Sequence, residues 1–261
     1  RAGVPSGAQC AVPLVGLLSH HHQPGPYLPV ARVSLEVVVV TVADAIAAEE
    51  GGADRLELVA NLPEGGVTPS AGVIAAVRRA TRLPLYVMIR PRGGSFHFSP
   101  AEVDAMVEDA RIARELGADG LVIGALTPQG AVDHQAMLRV LNAARLPATF
   151  HRAFESISRR EDALQQVASL PYVERILTSG GAPRPEEALD ALREVIAKSP
   201  LEIMVGGGVT LANAAMVLRE TGAAALHTGT AVREPAHPTA PVSAALVAEM
   251  RHIIDEASVD R

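Results

Sequence analysis

The sequence predicts an α/β fold of the (β/α)8 type, a TIM barrel, on three observations. Short runs rich in β-branched residues alternate with longer helix-like segments, and this alternation occurs eight times. Two junctions recur: Gly-Ala-Asp at 52–54 and 117–119, and Arg-Leu-Pro at 82–84 and 145–147. They indicate a repeating unit of two strand–helix pairs. Eight pairs in about 230 residues match the usual size of such a barrel. An open doubly wound sheet is the alternative, but no dinucleotide fingerprint follows the first strand.

The individual elements follow from these patterns in chain order. Ser70 and Ser99 are placed as N-caps, and Pro100 suits the first turn of the helix after Ser99. The predicted strands are Ser34–Val40, Arg55–Val59, Leu85–Arg90, Gly120–Gly124, Ala148–Arg152, Val173–Thr178, Glu202–Gly206 and Ala224–Thr228. The predicted helices cover 42–50, 70–81, 100–116, 134–145, 158–169, 185–198, 210–221 and about 241–257.

The first 32 residues differ from the rest. Residues 1–32 contain no Asp or Glu and include three adjacent histidines at 20–22. We predict a disordered or weakly ordered tail over 1–32 and a single barrel domain over 33–261. The histidines could hold a metal loosely, but a polar low-complexity stretch is the simpler interpretation.

Composition excludes several function classes. The chain has 261 residues, a net charge of −6 and 48% hydrophobic residues. No apolar run is long enough for a membrane span, and no basic stripe suggests nucleic-acid binding. Lys198 is the only lysine and lies at a helix end on the opposite face of the barrel from the predicted site, which disfavours a Schiff-base mechanism. Cys10 is the only cysteine and lies in the tail, which disfavours a thiolate site in the barrel.

Polar residues stand where the strands end, which is where barrel enzymes place their sites. Glu36 and Glu57 lie within otherwise apolar strands, and an unpaired buried carboxylate is unfavourable. We therefore expect them to pair with the arginines at the strand ends, namely Arg90, Arg92 and Arg152. A purely structural salt-bridge cluster at the barrel mouth is the alternative interpretation.

The candidate catalytic residues are His151 and Glu57. An imidazole titrates near neutrality, so His151 could act as a general acid or base; a hydrogen-bonded strand-end histidine is the alternative. The same two interpretations apply to His227, with a weaker functional case because its loop offers no acidic partner in the sequence.

Glycine-rich loops follow the last three strands and suggest an anion site. The run Gly206-Gly207-Gly208-Val209-Thr210 is predicted to lead directly into a helix, and barrel phosphate sites commonly use such loops. Tight turns that simply require glycine are the alternative explanation. The candidate ligand-binding residues from these loops are Ser179, Gly207, Gly208, Thr228 and Gly229. They join Glu36, Arg90, Arg92 and Arg152 as the predicted ligand-binding set.

Several motifs resemble the copper homeostasis protein CutC family. They include Gly52-Ala53-Asp54-Arg55-Leu56-Glu57-Leu58, Ile89-Arg90-Pro91-Arg92-Gly93-Gly94 and Thr149-Phe150-His151-Arg152-Ala153-Phe154. The resemblance implies a cytoplasmic TIM-barrel protein linked to copper handling, often a homo-oligomer, with copper as its implied ligand.

Family members often carry cysteines at positions that here are Val38, Val39 and Val59. The remaining donors are His, Met and carboxylate, which suit Cu(I) less well. Two functions therefore stay open: a copper-binding or copper-homeostasis protein without catalysis, and an enzyme acting on a small anionic or phosphorylated ligand at the barrel mouth.

Overall fold

The structure, a computed structural model, describes residues 32–157 and 160–259. The tail predicted over 1–32 lies outside the described residues, apart from Arg32. Among the described residues, no helix is long and apolar enough to cross a membrane.

The strands form a closed parallel barrel in sequential order, in which β8 pairs with β1. The (β/α)8 prediction is thus confirmed, and the doubly wound alternative is excluded because an open sheet would leave two edges unpaired. The strands are β1 Ser34–Val39, β2 Arg55–Leu58, β3 Leu85–Met88, β4 Gly120–Ile123, β5 Ala148–Phe150, β6 Val173–Thr178, β7 Glu202–Val205 and β8 Ala225–Thr228.

A helix follows each strand in the part of the chain that is described. The predicted caps are present: Ser70 accepts a hydrogen bond from the Val73 N–H, and Ser99 forms a reciprocal capping box with Glu102. The helices are α1 Val42–Glu50, α2 Ala71–Ala80, α3 Pro100–Glu115, α4 His134–Ala144, α5 Arg160–Ala168, α6 Leu189–Lys198, α7 Ala214–Thr221 and α8 Ala244–Val259.

Two predicted helix starts are wrong, and both concern loops that follow strands. A short 3-10 turn occupies Pro185–Glu187, so α6 begins only at Leu189. The glycine loop after β7 does not lead directly into a helix, because α7 begins at Ala214. Asn213 instead binds back to this loop, accepting from the Thr210 N–H and donating to the Gly208 carbonyl.

Strand alternation divides the core into two layers. Val37 and Val39 belong to the large apolar cluster that the strands share with the surrounding helices. Val38 instead packs in a small separate cluster with Tyr86 and Met88 inside the barrel. Residues two apart on each strand therefore share the barrel interior, and this places Glu36 and Val38 of β1 on the inner side.

Candidate active site

A cavity of about 690 Å³ opens at the carboxyl-terminal mouth of the barrel. Residues at the ends of β1, β2, β3, β5, β7 and β8 border it, as expected for this fold. The polar groups that matter for chemistry are at its floor and rim: Glu57, Arg90, His151, Arg152, Gly207, Gly208, His227, Thr228 and Gly229.

A buried row of four charged groups reaches the floor of this cavity through Glu57 and His227. The Arg55 guanidinium donates to Glu36, whose other oxygen lies 2.9 Å from Nδ1 of His227. Nε2 of His227 lies 3.3 Å from the Glu57 carboxylate. Strand register explains the contacts, because Glu36 pairs with Arg55 on one side and with His227 on the other. The row Arg55–Glu36–His227–Glu57 is called the floor relay below.

Burial and charge set the protonation of the floor relay. Burial alone would raise the pKa of Glu36, but Arg55 and His227 outweigh it and lower the pKa to about 2. Burial raises the pKa of Glu57 to about 7, against the opposing effect of His227. Burial alone would lower the pKa of His227, but the carboxylates of Glu57 and Glu36 raise it. An ionised Glu36 thus accepts the Nδ1 proton of His227 and leaves one exchangeable proton between Nε2 and Glu57.

The predicted pairing of the two glutamates with the strand-end arginines is wrong. Glu36 and Glu57 pair with Arg55 and His227 rather than with Arg90, Arg92 or Arg152. No acidic partner of His227 is visible in the sequence around it, because Glu36 and Glu57 lie on β1 and β2 and only barrel closure pairs β1 with β8.

Arg90 borders the cavity but uses its guanidinium mainly on the backbone. It donates to the carbonyls of Glu64 at 3.1 Å, Gly66 at 2.9 Å and Gly94 at 2.8 Å. Its Nε is buried and has no hydrogen-bond partner among the described residues. Arg90 therefore shapes the rim while keeping one donor unused.

Arg92 does not border the cavity. Its guanidinium pairs with Glu102 of the α3 capping box and donates to the carbonyls of Ser95 and His97. It also stacks over the Phe98 ring, with Cζ 5.2 Å from the ring centroid. These contacts tie the β3–α3 loop to the start of α3, which is a structural role.

The Arg152 side chain, which follows β5, packs against the glycine loop after β7. A side chain at Gly207, where φ is +75°, would meet the Arg152 Cζ at 2.8 Å, so glycine allows this close approach. Glu155 accepts from Arg152 at 2.8 Å and, through its other oxygen, from the Ser179 N–H and hydroxyl at 2.6 and 2.7 Å. Ser179 thus does not contact Arg152 itself; it holds Glu155, and Glu155 orients Arg152.

His151 is buried and is one of the residues that border the cavity. Its Nδ1 accepts a hydrogen bond from the Ala153 N–H at 3.2 Å. Burial, together with the Arg90 charge, lowers the pKa of His151 to about 3, so the imidazole is neutral at physiological pH. The His151 ring packs closely against Gly124, and only glycine allows this, because a Cβ at position 124 would lie 2.6 Å from the ring.

The loops after β7 and β8 lie side by side at the cavity, because these two strands are neighbours in the barrel. Thr228 is buried at the end of β8, and its hydroxyl donates to the Val209 carbonyl at 3.4 Å. Gly207, Gly208, Thr228 and Gly229 all border the cavity. The structure therefore brings the predicted glycine-loop residues together with Arg152.

Two residues of the site were missed by sequence reasoning. Arg55 stands two positions before Glu57 in a buried strand, so period-two alternation places both side chains inside the barrel and could have indicated their proximity. Phe96 gave no such signal: it comes from the loop after β3, and its ring lies 4.9 Å from the ring of His151, centroid to centroid.

Comparison with known proteins identifies the family. Residues 33–232 match the sequence profile of the CutC family. The chain belongs to the CutC family. The human copper homeostasis protein cutC homolog is 43% identical over 196 residues, which cover 74% of this chain and 71% of the human protein. The CutC family protein of Xylella fastidiosa (strain Temecula1) is 44% identical over 197 residues, covering 74% and 73% of the two chains.

Solved structures agree with this assignment. The crystal structure of a CutC copper homeostasis protein from Streptococcus agalactiae superposes with a TM-score of 0.71 at 35% identity, covering 76% of this chain and 98% of that one. The tryptophan synthase α subunit of Legionella pneumophila superposes with a TM-score of 0.63 at 18% identity, covering 86% and 93%. The second likeness shows the shared barrel fold alone.

The CutC family name raises the question of a metal. Glu36, Glu57 and His227 offer ligand atoms that all lie within 4.8 Å of one another. This donor set, two carboxylates and an imidazole, contains no sulfur and fits Cu(I) poorly. Val38 and Val59, where the family resemblance implies cysteines, form part of the apolar cavity wall, and Val39 is buried in the outer layer. The three clustered donors of this chain therefore do not fit Cu(I).

Proposed function

We propose that this CutC protein is an enzyme that binds a small anionic, preferably phosphorylated, ligand at the barrel mouth and transfers a proton through Glu57 and His227. The observation that supports this most is the floor relay. A buried carboxyl that titrates near pH 7 borders the cavity, and a fixed imidazole shares its proton. General acid–base catalysis works best with a group whose pKa lies near the working pH.

The anion would bind between Arg152 and the two glycine loops. Glu155 occupies Nε and Nη2 of Arg152, and Nη1 makes no hydrogen bond among the described residues. Gly207 and Gly208 have positive φ values of +75° and +119°, and loops of this kind expose backbone N–H groups to phosphate oxygens in many barrels. The predicted Ser179 contributes indirectly, through Glu155.

The anion site is tested by comparing Arg152→Ala with Arg92→Ala. We expect Arg152→Ala to weaken inorganic phosphate binding by about tenfold or more, because a charge-assisted hydrogen bond is lost. Arg92→Ala is the matched control, since Arg92 is also at a strand end but does not border the cavity. Calorimetric titration with phosphate measures both. Equal weakening in the two variants, or no phosphate binding by the unmodified protein, would contradict the proposal.

Copper binding is the second candidate, supported by the family name and by the three clustered donors. We expect Cu(I) to bind the barrel only weakly, with Kd above micromolar, because thiolates are replaced by valines. Competition with a Cu(I) chelator on the full chain carrying Cys10→Ser measures this. Submicromolar affinity that falls on Glu57→Gln would instead favour the floor relay as a copper site. Homo-oligomerisation and a cytoplasmic location stay predictions from the sequence.

A further inference from the structure

The proposed acid–base function leaves two buried donors of the cavity unexplained. Arg90 Nε and His151 Nε2 have no hydrogen-bond partner among the described residues, although both side chains are at least nine-tenths buried. Buried donors are nearly always satisfied, so an unused pair that borders one cavity indicates a ligand acceptor.

The two donors are held by the same aromatic ring. The Arg90 Cζ lies 4.9 Å from the centroid of Phe96, and the His151 ring lies 4.9 Å from it, centroid to centroid. The other nitrogens of Arg90 are fixed by three loop carbonyls. These contacts fix both side chains, so each unused donor keeps its position beside the cavity.

The tautomer of His151 decides which role it can take. Because the Ala153 N–H donates to Nδ1, the neutral ring must carry its proton on Nε2. The positive charge of Arg90 further disfavours a second proton on the ring. His151 is thus a hydrogen-bond donor rather than the proton carrier that the sequence suggested.

We infer that the substrate is a small phosphorylated carbonyl compound whose carbonyl oxygen binds to His151 Nε2–H and Arg90 Nε–H, and that the reaction is proton transfer at the carbon next to that carbonyl. This inference rests on the proposed function, since it needs Glu57 as the base and Arg152 with the glycine loops as the phosphate site.

The chemical step is balanced without a further reactant. The ionised Glu57 takes the proton from the carbon, and the C–H electron pair forms a C=C bond. The carbonyl π pair moves onto oxygen, where the donors of His151 and Arg90 stabilise the negative charge. When that carbon also bears a hydroxyl, Glu57 delivers its proton to the former carbonyl carbon. The hydroxyl-bearing carbon then becomes the new carbonyl, and the hydroxyl proton passes to the former carbonyl oxygen, which gives isomerisation.

Binding of a planar intermediate mimic tests the inference. The probes are phosphoglycolohydroxamate, which resembles the enediolate of a phosphorylated carbonyl compound, and glycerol 3-phosphate, which has the phosphate but no sp² oxygen. We expect the hydroxamate to bind about tenfold or more tightly than glycerol 3-phosphate. His151→Phe should abolish this preference and leave glycerol 3-phosphate affinity within about twofold, since no phosphate contact is changed. His252→Phe, on the exposed face of α8, is the matched control and should retain the preference.

The outcomes separate the two proposals. If glycerol 3-phosphate binds and the hydroxamate binds no more tightly, the carbonyl inference is overturned while the anion site stands. If neither probe binds, the proposed function fails and the inference fails with it.

A second measurement does not depend on any variant folding. ¹⁵N NMR of the unmodified protein should show His151 as the neutral Nε2–H tautomer from pH 5 to 9. Titration of His151 within that range, or a proton on Nδ1, would overturn its assignment as a neutral donor.

Discussion

Replacing Arg55 with Met is expected to lower the free energy of unfolding by about 3–5 kcal/mol, since it leaves a buried carboxylate without its cation. Glu36 is fully buried, and Arg55 is the guanidinium that donates to it. Methionine fills similar volume but supplies no charge, so Glu36 would have to take up a proton or depend on His227 alone. Urea unfolding at pH 7 measures the change.

Two further variants show whether charge is the cause. Arg111 forms exposed pairs with Glu108 and Glu115, so Arg111→Met should change stability by less than about 1 kcal/mol. Adding Glu36→Gln to Arg55→Met should restore part of the loss, because the double variant no longer buries an unpaired charge. A loss in Arg55→Met as small as that in Arg111→Met would contradict the floor relay as a buried ion-pair system.

Glu57→Gln is expected to become more stable relative to the unmodified protein as pH rises from 4 to 8. In the unfolded chain Glu57 loses its proton near pH 4.5, whereas in the folded protein it keeps the proton up to about pH 7. A raised carboxyl pKa contributes stability below the unfolded value, and this stability is lost as pH rises through the folded value. The relative gain should approach about 3–4 kcal/mol at pH 8, at about 1.4 kcal/mol for each pH unit between the two pKa values.

Urea unfolding curves collected across this pH range give the difference directly. Glu108→Gln is the matched control, because Glu108 is exposed on α3 and its substitution should leave the pH profile unchanged. His227 acts in the same direction as Glu57, since its raised pKa also removes stability as pH rises. A pH-independent difference between Glu57→Gln and the unmodified protein would show that Glu57 ionises normally in the fold.

Below about pH 6.5, the pH dependence of the free energy of unfolding also reflects groups other than Glu57 and His227. Glu36, with a pKa lowered to about 2, contributes stability that is lost as pH falls from 4.5 towards 2. His151, with a pKa lowered to about 3, favours the unfolded state as pH falls from 6.5. The Glu57 effect is therefore best measured as a difference between variants, in which the His151 contribution cancels because Glu57 is not among the groups that shift the His151 pKa.

The arginines at the strand ends illustrate why charge in a sequence does not locate a site. Arg90, Arg92 and Arg152 all follow barrel strands, yet Arg92 binds the start of α3 while Arg152 lies against the glycine loop of β7. The direction of each long side chain depends on the loop around it. Only the folded loops decide which guanidinium borders the cavity.

The sequence by itself determined the barrel, its eight strand–helix pairs, the strands that bear Glu36 and Glu57 and the strand that ends just before His151, because period-two and period-3.6 patterns are local properties of the chain. It also placed the glycine loops at β7 and β8. The tertiary structure decided the partners. His227 meets Glu36 because closure pairs β8 with β1, residues 191 positions apart in the chain. The raised pKa of Glu57 follows from burial inside the closed barrel. The unpartnered donors of Arg90 and His151 are buried in the same folded structure, and no local sequence pattern encodes such burial.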